Sequence, residues 1–441
     1  MDRGLAMTAL LLWVRLARAT GPRATDVLSA IAFAFATAAL LAVLGGVNAF
    51  QVRLDEGRVD PFDGELIVTL ALVAAALLLP AVWTLAQAAV RLALARRDDR
   101  LAALRLAGAT RGQVSTMAVL DAVAQALVGV VVGAMLALAV TPGIARIEFQ
   151  GLPFTVAELL PPAWIWLAAG AAVLLTALGA ALASLRRVHV TPLGVAQRVG
   201  QQGLSLWRIV AFAIPLGVYV AVVALDLVPV DVSFSIALIA IVVLAYSLIG
   251  PLLIQLVARI VARAARRPAT LLAARRVIDD PRGAFNIVGA MSVAVMAGGF
   301  ASLAPALGAA DDPFAVDIAT GAALTIAIAG VLGAVLAGIA QSAKVLDQQR
   351  EHQAMHRMGV DMPVMQSALV RQVALPLIVG VGGAAGVALL LILPSFMLWW
   401  SSADSVVTWA LLTVGAVAVT LGATAAALPL VKRVATASTA A

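Results

Sequence analysis

The chain has 441 residues, of which 63% are apolar and only 12% charged, and its mean hydropathy is +1.04. A soluble domain carries roughly twice that charged fraction, so a water-soluble enzyme is excluded and lipid is the solvent for most of the chain. The lack of cysteine excludes disulfides, thiolate metal sites and iron–sulfur clusters, and the net charge of +7 indicates membrane topology rather than a nucleic-acid partner.

Apolar runs long enough to cross a bilayer, which takes about 20 helical residues, follow one another along the chain. There are ten, near residues 27–50, 66–90, 114–141, 162–185, 209–230, 233–258, 284–307, 316–341, 364–394 and 402–430. This pattern predicts an all-α integral membrane protein with about ten transmembrane helices.

The basic residues are distributed unevenly between the two predicted sides. Of the 30, 26 fall at the N-terminus, in the even-numbered connections or in the tail, whereas Arg53, Arg58 and Arg146 lie on the other side. Lysine and arginine accumulate on the cytoplasmic side of membrane proteins. Both termini are therefore predicted to be cytoplasmic.

The sequence repeats itself at an offset near 251 residues. The segment Arg105–Gly112 has a counterpart in His356–Pro363, and Asp60-Pro-Phe matches Asp312-Pro-Phe. Because each copy starts from the cytoplasm, we expect parallel units. The predicted domains are an interfacial amphipathic helix (1–26), a first four-span unit (27–190), two linking helices (191–267), a second four-span unit (268–435) and a tail (436–441).

The segment between the second and third spans, Leu101-Ala-Ala-Leu-Arg-Leu-Ala-Gly-Ala-Thr-Arg-Gly-Gln113, resembles a motif of the FtsX-like permease family, the membrane subunits of MacB-type and lipoprotein-releasing ABC transporters. Asp121 stands where that family usually has a glutamate. The duplicated arrangement resembles permeases that have two linking spans, but without their large extracellular domain. The resemblance implies two parallel four-helix units in the bacterial cytoplasmic membrane, and a cytoplasmic ABC ATPase homodimer as partner.

Two cytoplasmic segments are candidate docking helices for that ATPase. Both combine charge with helical apolar spacing, and Gly108 and Gly359 are suited to end a helix, since glycine adopts the left-handed conformation. On spacing alone, solvated hairpins whose charges only fix topology are an alternative; the repeat and the resemblance favour docking. The predicted coupling residues are Leu101, Leu104, Arg105, Gly108, Thr110, Arg111, His352, Met355, His356, Arg357 and Gly359.

Two ionisable residues fall inside predicted spans, where charges are costly and normally paired. Asp121 lies in the third span and Arg371 at a similar depth in the ninth. One hypothesis is an ion pair between the two units. The alternative is that each side chain reaches the cytoplasmic interface, as a long arginine can.

Closely spaced glycines occur in the same two spans. Small residues allow close helix packing in lipid, and their matching positions predict a seam between the units. The predicted seam residues are Gly129, Gly133, Gly380, Gly382 and Gly386.

No arrangement of residues predicts catalysis or metal binding. The chain has only two lysines, Lys344 and Lys432, and neither follows a phosphate-binding loop, so we expect no cofactor here and ATP with magnesium on the partner chain. The predicted function is a non-catalytic permease subunit that exports or extracts amphipathic molecules such as lipids, peptides or antibiotics. One alternative is a mechanotransmitter acting on an external partner such as a cell-wall hydrolase, and another is an ion-coupled secondary transporter.

Overall fold

A computed structural model describes residues 24–95, 111–190, 207–224, 232–302, 313–392 and 403–429. Twelve helices and one two-stranded hairpin lie in these ranges. They are α1 (Ala24–Asp55), α2 (Pro61–Ala95), α3 (Arg111–Ile144), β1 (Glu148–Phe149), β2 (Leu152–Pro153), α4 (Ala163–Val190), α5 (Trp207–Ala224), α6 (Val232–Ala264), α7 (Pro268–Asp279), α8 (Pro281–Ala301), α9 (Pro313–Asp347), α10 (Gln349–Arg357), α11 (Met362–Ile392) and α12 (Ala403–Ala425).

In the described part of the chain, nine helices are long and apolar enough to cross a membrane. They are α1, α2, α3, α4, α6, α8, α9, α11 and α12. The remaining predicted span corresponds to α5, whose described apolar part, Trp207–Val222, is shorter. The protein is therefore an all-α, multi-pass integral membrane protein, as the sequence predicts.

The helices pack as two similar groups of four. In the first group α1 packs against both α2 and α3, and in the second group α8 packs in the same way against α9 and α11. The fourth helices differ: α4 lies mainly on α3, whereas α12 lies mainly on α9. Gly330 and Gly338 of α9 let α12 approach closely at Ala416 and Ala423. At the repeat offset of 252, which Asp60 and Asp312 define, the corresponding residues of α2 are the larger Leu78 and Ala86.

The two groups meet through corresponding helices. α2 packs against its counterpart α9. Each of these two helices also contacts the first helix of the other group, α2 packing on α8 and α9 packing on α1. Buried residues of both groups form one continuous apolar cluster, including Leu85 of α2 and Leu332 of α9. This arrangement has the pattern of a pseudo-twofold interface.

One hydrogen bond fixes the relative direction of the two groups. The backbone N–H of Gln150, in the hairpin between α3 and α4, donates to the carboxylate of Asp317 at 2.9 Å. Asp317 lies in the first turns of α9. In inverted repeats the α3–α4 and α8–α9 connections would lie at opposite ends. The units are therefore parallel. We call this the outer end and the end that carries α7 and α10 the inner end, following the predicted topology.

The linking helices pack on the second unit. α5 lies against α6, and α6 lies against α7, α8 and α11. The Tyr246 hydroxyl of α6 donates to the carbonyl of Gly380 in α11 at 2.5 Å, and Gly250 of α6 lies against the ring of Phe285 in α8. These contacts cover a face of α8 and α11 whose counterpart on α1 and α3 has no such cover among the described residues.

Candidate functional site

A short helix, α10, lies at the inner end between the long helices α9 and α11 in the chain. Only Gln348 separates α9 from α10, and its amide still donates to the carbonyl of Lys344 at 2.9 Å. Residues 358–361 separate α10 from α11, whose first turn begins with the amide of Val364 donating to the carbonyl of Asp361 at 3.0 Å. The short helix is thus joined to two membrane-crossing helices by tight corners.

The C-terminal end of α10 is closed by a Schellman motif, the hydrogen-bonded glycine turn that often ends a helix. Gly359 has φ +85°, its amide donates to the carbonyl of His356 at 3.0 Å, and the amide of Val360 donates to that of Met355 at 3.0 Å. Met355 and Val360 both pack on the apolar cluster, as the motif requires. The predicted helix-ending role of Gly359 is confirmed, whereas Gly108 lies outside the described residues.

Opposite charges connect α10 and the end of α9 to α7 and α8. Arg276 of α7 is partly buried, which lowers the pKa of its guanidinium, and the Glu351 carboxylate of α10 opposes that shift. Lys344 lies in the electrostatic range of Asp280, whose carboxylate also accepts from the amide of Gly283 at 2.9 Å and begins α8. Glu351 of α10 is therefore in the electrostatic range of α7, and Lys344 of α9 is in that of α8.

The predicted coupling residues of the second segment lie in α10 or directly after it and differ in exposure. Met355 and His356 are half-buried, whereas Arg357 and Gly359 are exposed and His352 lies within the helix. Met358, which follows the helix, is 74% exposed. In the first segment α3 begins at Arg111; the other predicted residues, Leu101, Leu104, Arg105, Gly108 and Thr110, lie outside the described residues.

The structure does not bring Asp121 and Arg371 together. Arg371 donates instead to the hydroxyl of Thr270 in α7 at 2.5 Å, and among the described residues no ion pair joins it to Asp121. The physical reason is that α3 and α11 each pack within their own unit, while α2 and α9 occupy the interface. The predicted ion pair between the units is therefore replaced by a contact within the second unit.

A polar network near Asp121 was missed by the sequence analysis. Gln125, one turn further along α3, donates to the carboxylate of Asp26 at 2.8 Å and is hydrogen-bonded to Ser29. Its counterpart in the second unit at the offset of 251 is Pro376. The spacing of Asp121 and Gln125 on one helix face was the available signal, but the partners of Gln125, Asp26 and Ser29, lie almost 100 residues away.

The glycine seam lies within each unit rather than between them, which corrects the prediction. A side chain at Gly129 would meet Phe33 and the carbonyl of Ala30 in α1. Gly133 likewise faces the Ala34 carbonyl of α1. In the second unit Gly380 faces Ser292 of α8, but Gly382 and Gly386 have nothing within 4 Å. At the repeat offset of 251, Gly133 corresponds to Ala384. Gly382 and Gly386 have the same spacing as Gly129 and Gly133 but do not occupy the corresponding positions, so this match was misleading.

At the outer end the connection between α3 and α4 is fastened by a buried arginine. Arg53, with its side chain only 3% exposed, lies 3.2 Å from the Glu158 carboxylate. It also donates to the carbonyls of Phe149 at 2.7 Å and Pro153 at 2.9 Å, and its guanidinium lies 4.3 Å from the ring centre of Phe154. We call Arg53, Glu158 and the segment between Phe149 and Pro153 the outer clamp.

Glu158 is the acidic centre of the outer clamp. Burial alone would raise its pKa, but the Thr155 amide and the guanidinium groups of Arg53 and Arg58 hold the pKa below its ordinary value. Arg58 lies 2.6 Å from this carboxylate. Glu158 therefore stays charged and joins the end of α1 to the connection between α3 and α4.

The hairpin of the outer clamp reaches the second unit. Gln150 and Gly151 both have positive φ, 57° and 72°, as a two-residue hairpin turn with a right-handed twist requires. This turn places the backbone N–H of Gln150 within hydrogen-bonding distance of the Asp317 carboxylate. Asp317 is only 6% exposed. The sequence signal was an arginine, Arg53, on the acidic outer side, but nothing in the chain order indicated its partners.

Comparison with family models gives one match, to the FtsX-like permease C-terminal domain, over residues 66–192. The chain contains an FtsX-like permease domain. The permease domain spans most of α2 and all of α3 and α4, the last three helices of the first unit, and includes the segment on which the resemblance was based. Comparisons with curated proteins and with solved structures gave no significant match. Within the described residues, no group of three or more histidine, aspartate or glutamate side chains is arranged to hold a metal ion.

Proposed function

We propose that this protein is the membrane subunit of an ABC transporter in the bacterial plasma membrane, driven by a separate cytoplasmic ATPase dimer. It would export or extract amphipathic molecules such as lipids, peptides or lipophilic antibiotics. The observation that carries the proposal is the structure of α10, a short, capped helix at the inner end of a chain that also contains an FtsX-like permease domain. Arg357 at its end and Met358 directly after it are both exposed. An exposed methionine at a rigid corner is suited to enter an apolar pocket on a partner protein.

The packing supports a mechanical stroke. Force applied to α10 reaches α9 and α11 through the two corners, and α9 is the helix of the second unit that meets α2. A single helix, α9, therefore connects the proposed docking surface on α10 to the interface between the units. A small displacement there would change how the units pack, since close-packed interfaces shift between discrete arrangements rather than deform gradually.

The ATPase is proposed to be another chain because this one has no phosphate-binding loop. A nucleotide site of that class needs a glycine-rich loop followed by a lysine, and neither Lys344 nor Lys432 has that context. Within this proposal the chain is non-catalytic and holds no cofactor of its own. If so, the first unit would provide the second docking helix, around Arg105.

Transport is favoured over action on an external partner by the outer clamp. The connection from residue 145 to 162 is held on α1 and α9 by Arg53 and Asp317, so it is a short, fastened loop rather than a separate external domain that could capture a partner. The described segment between α1 and α2, residues 56–60, is short. An ion-coupled transporter would need several intramembrane ionisable groups for coupling, which makes it the weaker alternative.

The test is purification of the chain together with the ATPase encoded next to it, comparing Met358→Asp with wild type. A charge at the centre of a docking surface should cost about 2 kcal/mol or more, which weakens ATPase binding about thirtyfold. The matched control is Phe62→Asp, which changes an apolar side chain of similar exposure, 71%, at the outer end. We expect only Met358→Asp to abolish stimulation of ATP hydrolysis by amphipathic compounds.

Two results would contradict the proposal. Equal ATPase binding by Met358→Asp and the control would exclude α10 as a docking helix. Normal binding and hydrolysis in the wild-type complex, with no compound moved or extracted from proteoliposomes, would favour the mechanotransmitter.

A further inference from the structure

Five arginines gather where α6 ends and α7 begins. Arg259 and Arg263 lie in the last turns of α6, Arg266 and Arg267 in the connection, and Arg275 in α7. We call them the arginine corner. All are exposed except Arg259, which is half-buried.

The arginine corner has no acidic partner in the described part of the chain. The ion pairs there belong to Arg53 and Arg58 at the outer end. At the inner end Glu351 faces Arg276 and Asp280 faces Lys344. Asp279, one turn after Arg275 at the end of α7, is also described and forms no ion pair with it. Five like charges within 17 residues (259 to 275) therefore form a cationic surface that can attract an external anion.

Exposed apolar side chains continue directly from the arginine corner. On α6, Leu256 is 46% and Ile260 56% exposed, and Arg263 follows them on the same helix face. On α7, Leu271 is 40% exposed and lies one turn before Arg275 on the same helix face, while Arg267 immediately precedes the helix. The surface therefore combines a cationic edge with an apolar strip.

We propose that the arginine corner binds the headgroup of an anionic phospholipid of the inner leaflet. The acyl chains lie along Leu256 and Ile260, and the phosphate lies among Arg263, Arg267 and Arg275. Arginine suits this role, since its planar guanidinium can donate two parallel hydrogen bonds to a phosphate group. The proposal does not depend on the function proposed above.

A lipid fits this surface better than an acidic face of the ATPase. A protein partner in water would satisfy the arginines but would leave the strip of α6 unexplained, because that strip belongs to a membrane-crossing helix. Anionic lipids commonly bind basic pockets on the cytoplasmic side between such helices. The arginine corner also joins α7 to the linking helix α6. A lipid bound there would contact both helices and stabilise their packing on the second unit.

The test titrates the purified full chain in neutral detergent with dioctanoyl phosphatidylglycerol, measured by calorimetry. Dioctanoyl phosphatidylcholine and inorganic phosphate are the comparison ligands. Each arginine near an anionic headgroup contributes about fivefold in affinity, so the triple variant Arg263→Gln, Arg267→Gln, Arg275→Gln should bind about a hundredfold more weakly. The same three positions changed to lysine should retain most of the affinity, and Arg357→Gln, which removes an exposed arginine outside the corner, should bind as wild type does.

Several outcomes would overturn the proposal. One is equal affinity for phosphatidylglycerol and phosphatidylcholine, and another is unchanged phosphatidylglycerol binding by a triple variant that still unfolds cooperatively. Inorganic phosphate competing as well as the lipid would indicate a small-anion site. Loss of ATPase binding with lipid binding intact would indicate a protein-docking surface instead.

Discussion

Arg53→Met tests the outer clamp because it removes one charge and keeps a long apolar side chain. Arg53 donates to the carbonyls of Phe149 and Pro153 and to Glu158, and both charged side chains are 5% exposed or less. Removing one partner of a buried ion pair costs roughly 3–5 kcal/mol. Since Arg58 remains beside Glu158, we expect the lower end, about 3 kcal/mol.

The measurement is the free energy of unfolding of the purified protein in mixed micelles, followed by circular dichroism across a denaturing-detergent titration. The control is Arg58→Met, which removes a 45% exposed arginine from the same carboxylate and should cost less than about 1 kcal/mol. The reasoning is refuted if the two variants are equally stable, because the burial of Arg53 would then have no energetic consequence.

Three other predictions concern acidity and glycine packing. Because the pKa of Glu158 is lowered in the folded protein, its charge stabilises the fold above about pH 4.3, the ordinary value. This stabilisation is lost as the pH falls through the folded-state pKa. Melting temperatures measured from about pH 7 to 3 should therefore fall less for Glu158→Gln than for wild type. Gly129→Ala places a methyl group against Phe33 and should destabilise by about 1–3 kcal/mol, while Gly382→Ala, with open space around it, should melt as wild type does. Gly359→Ala forces a left-handed conformation on alanine, costing about 1–2 kcal/mol, so the melting temperature should fall by a few degrees and ATPase binding should weaken. Unchanged binding would show that the corner after α10 need not keep this conformation.

The pattern of apolar runs was sufficient for the membrane-crossing helices. A helix satisfies its own backbone hydrogen bonds, so length and hydropathy alone locate a membrane span, and nine predicted spans match described helices. Gly359 was predictable for a similar reason, because the φ that ends α10 is a local property of glycine. The tenth predicted span corresponds to α5, whose described apolar part, Trp207–Val222, is shorter than the others.

Contacts between distant residues were not predictable from spacing. The glycines at 382 and 386 have the same sequence pattern as those at 129 and 133, but which face of α11 meets α8 depends on how the whole unit packs. Arg371 illustrates the same limit: its depth was inferred, yet its partner, Thr270, comes from a helix about 100 residues earlier.

The sequence by itself determined the solvent of this protein, its helical spans, its internal repeat and the glycine that ends α10, because each follows from local composition or from similarity between segments. Only the tertiary structure decided that α2 and α9 form the interface, that the glycine seams lie inside the units and that Arg53 and Asp317 fasten the outer end. These features depend on which helix faces meet. In lipid that choice is made by the close fit of side chains and by buried polar pairs.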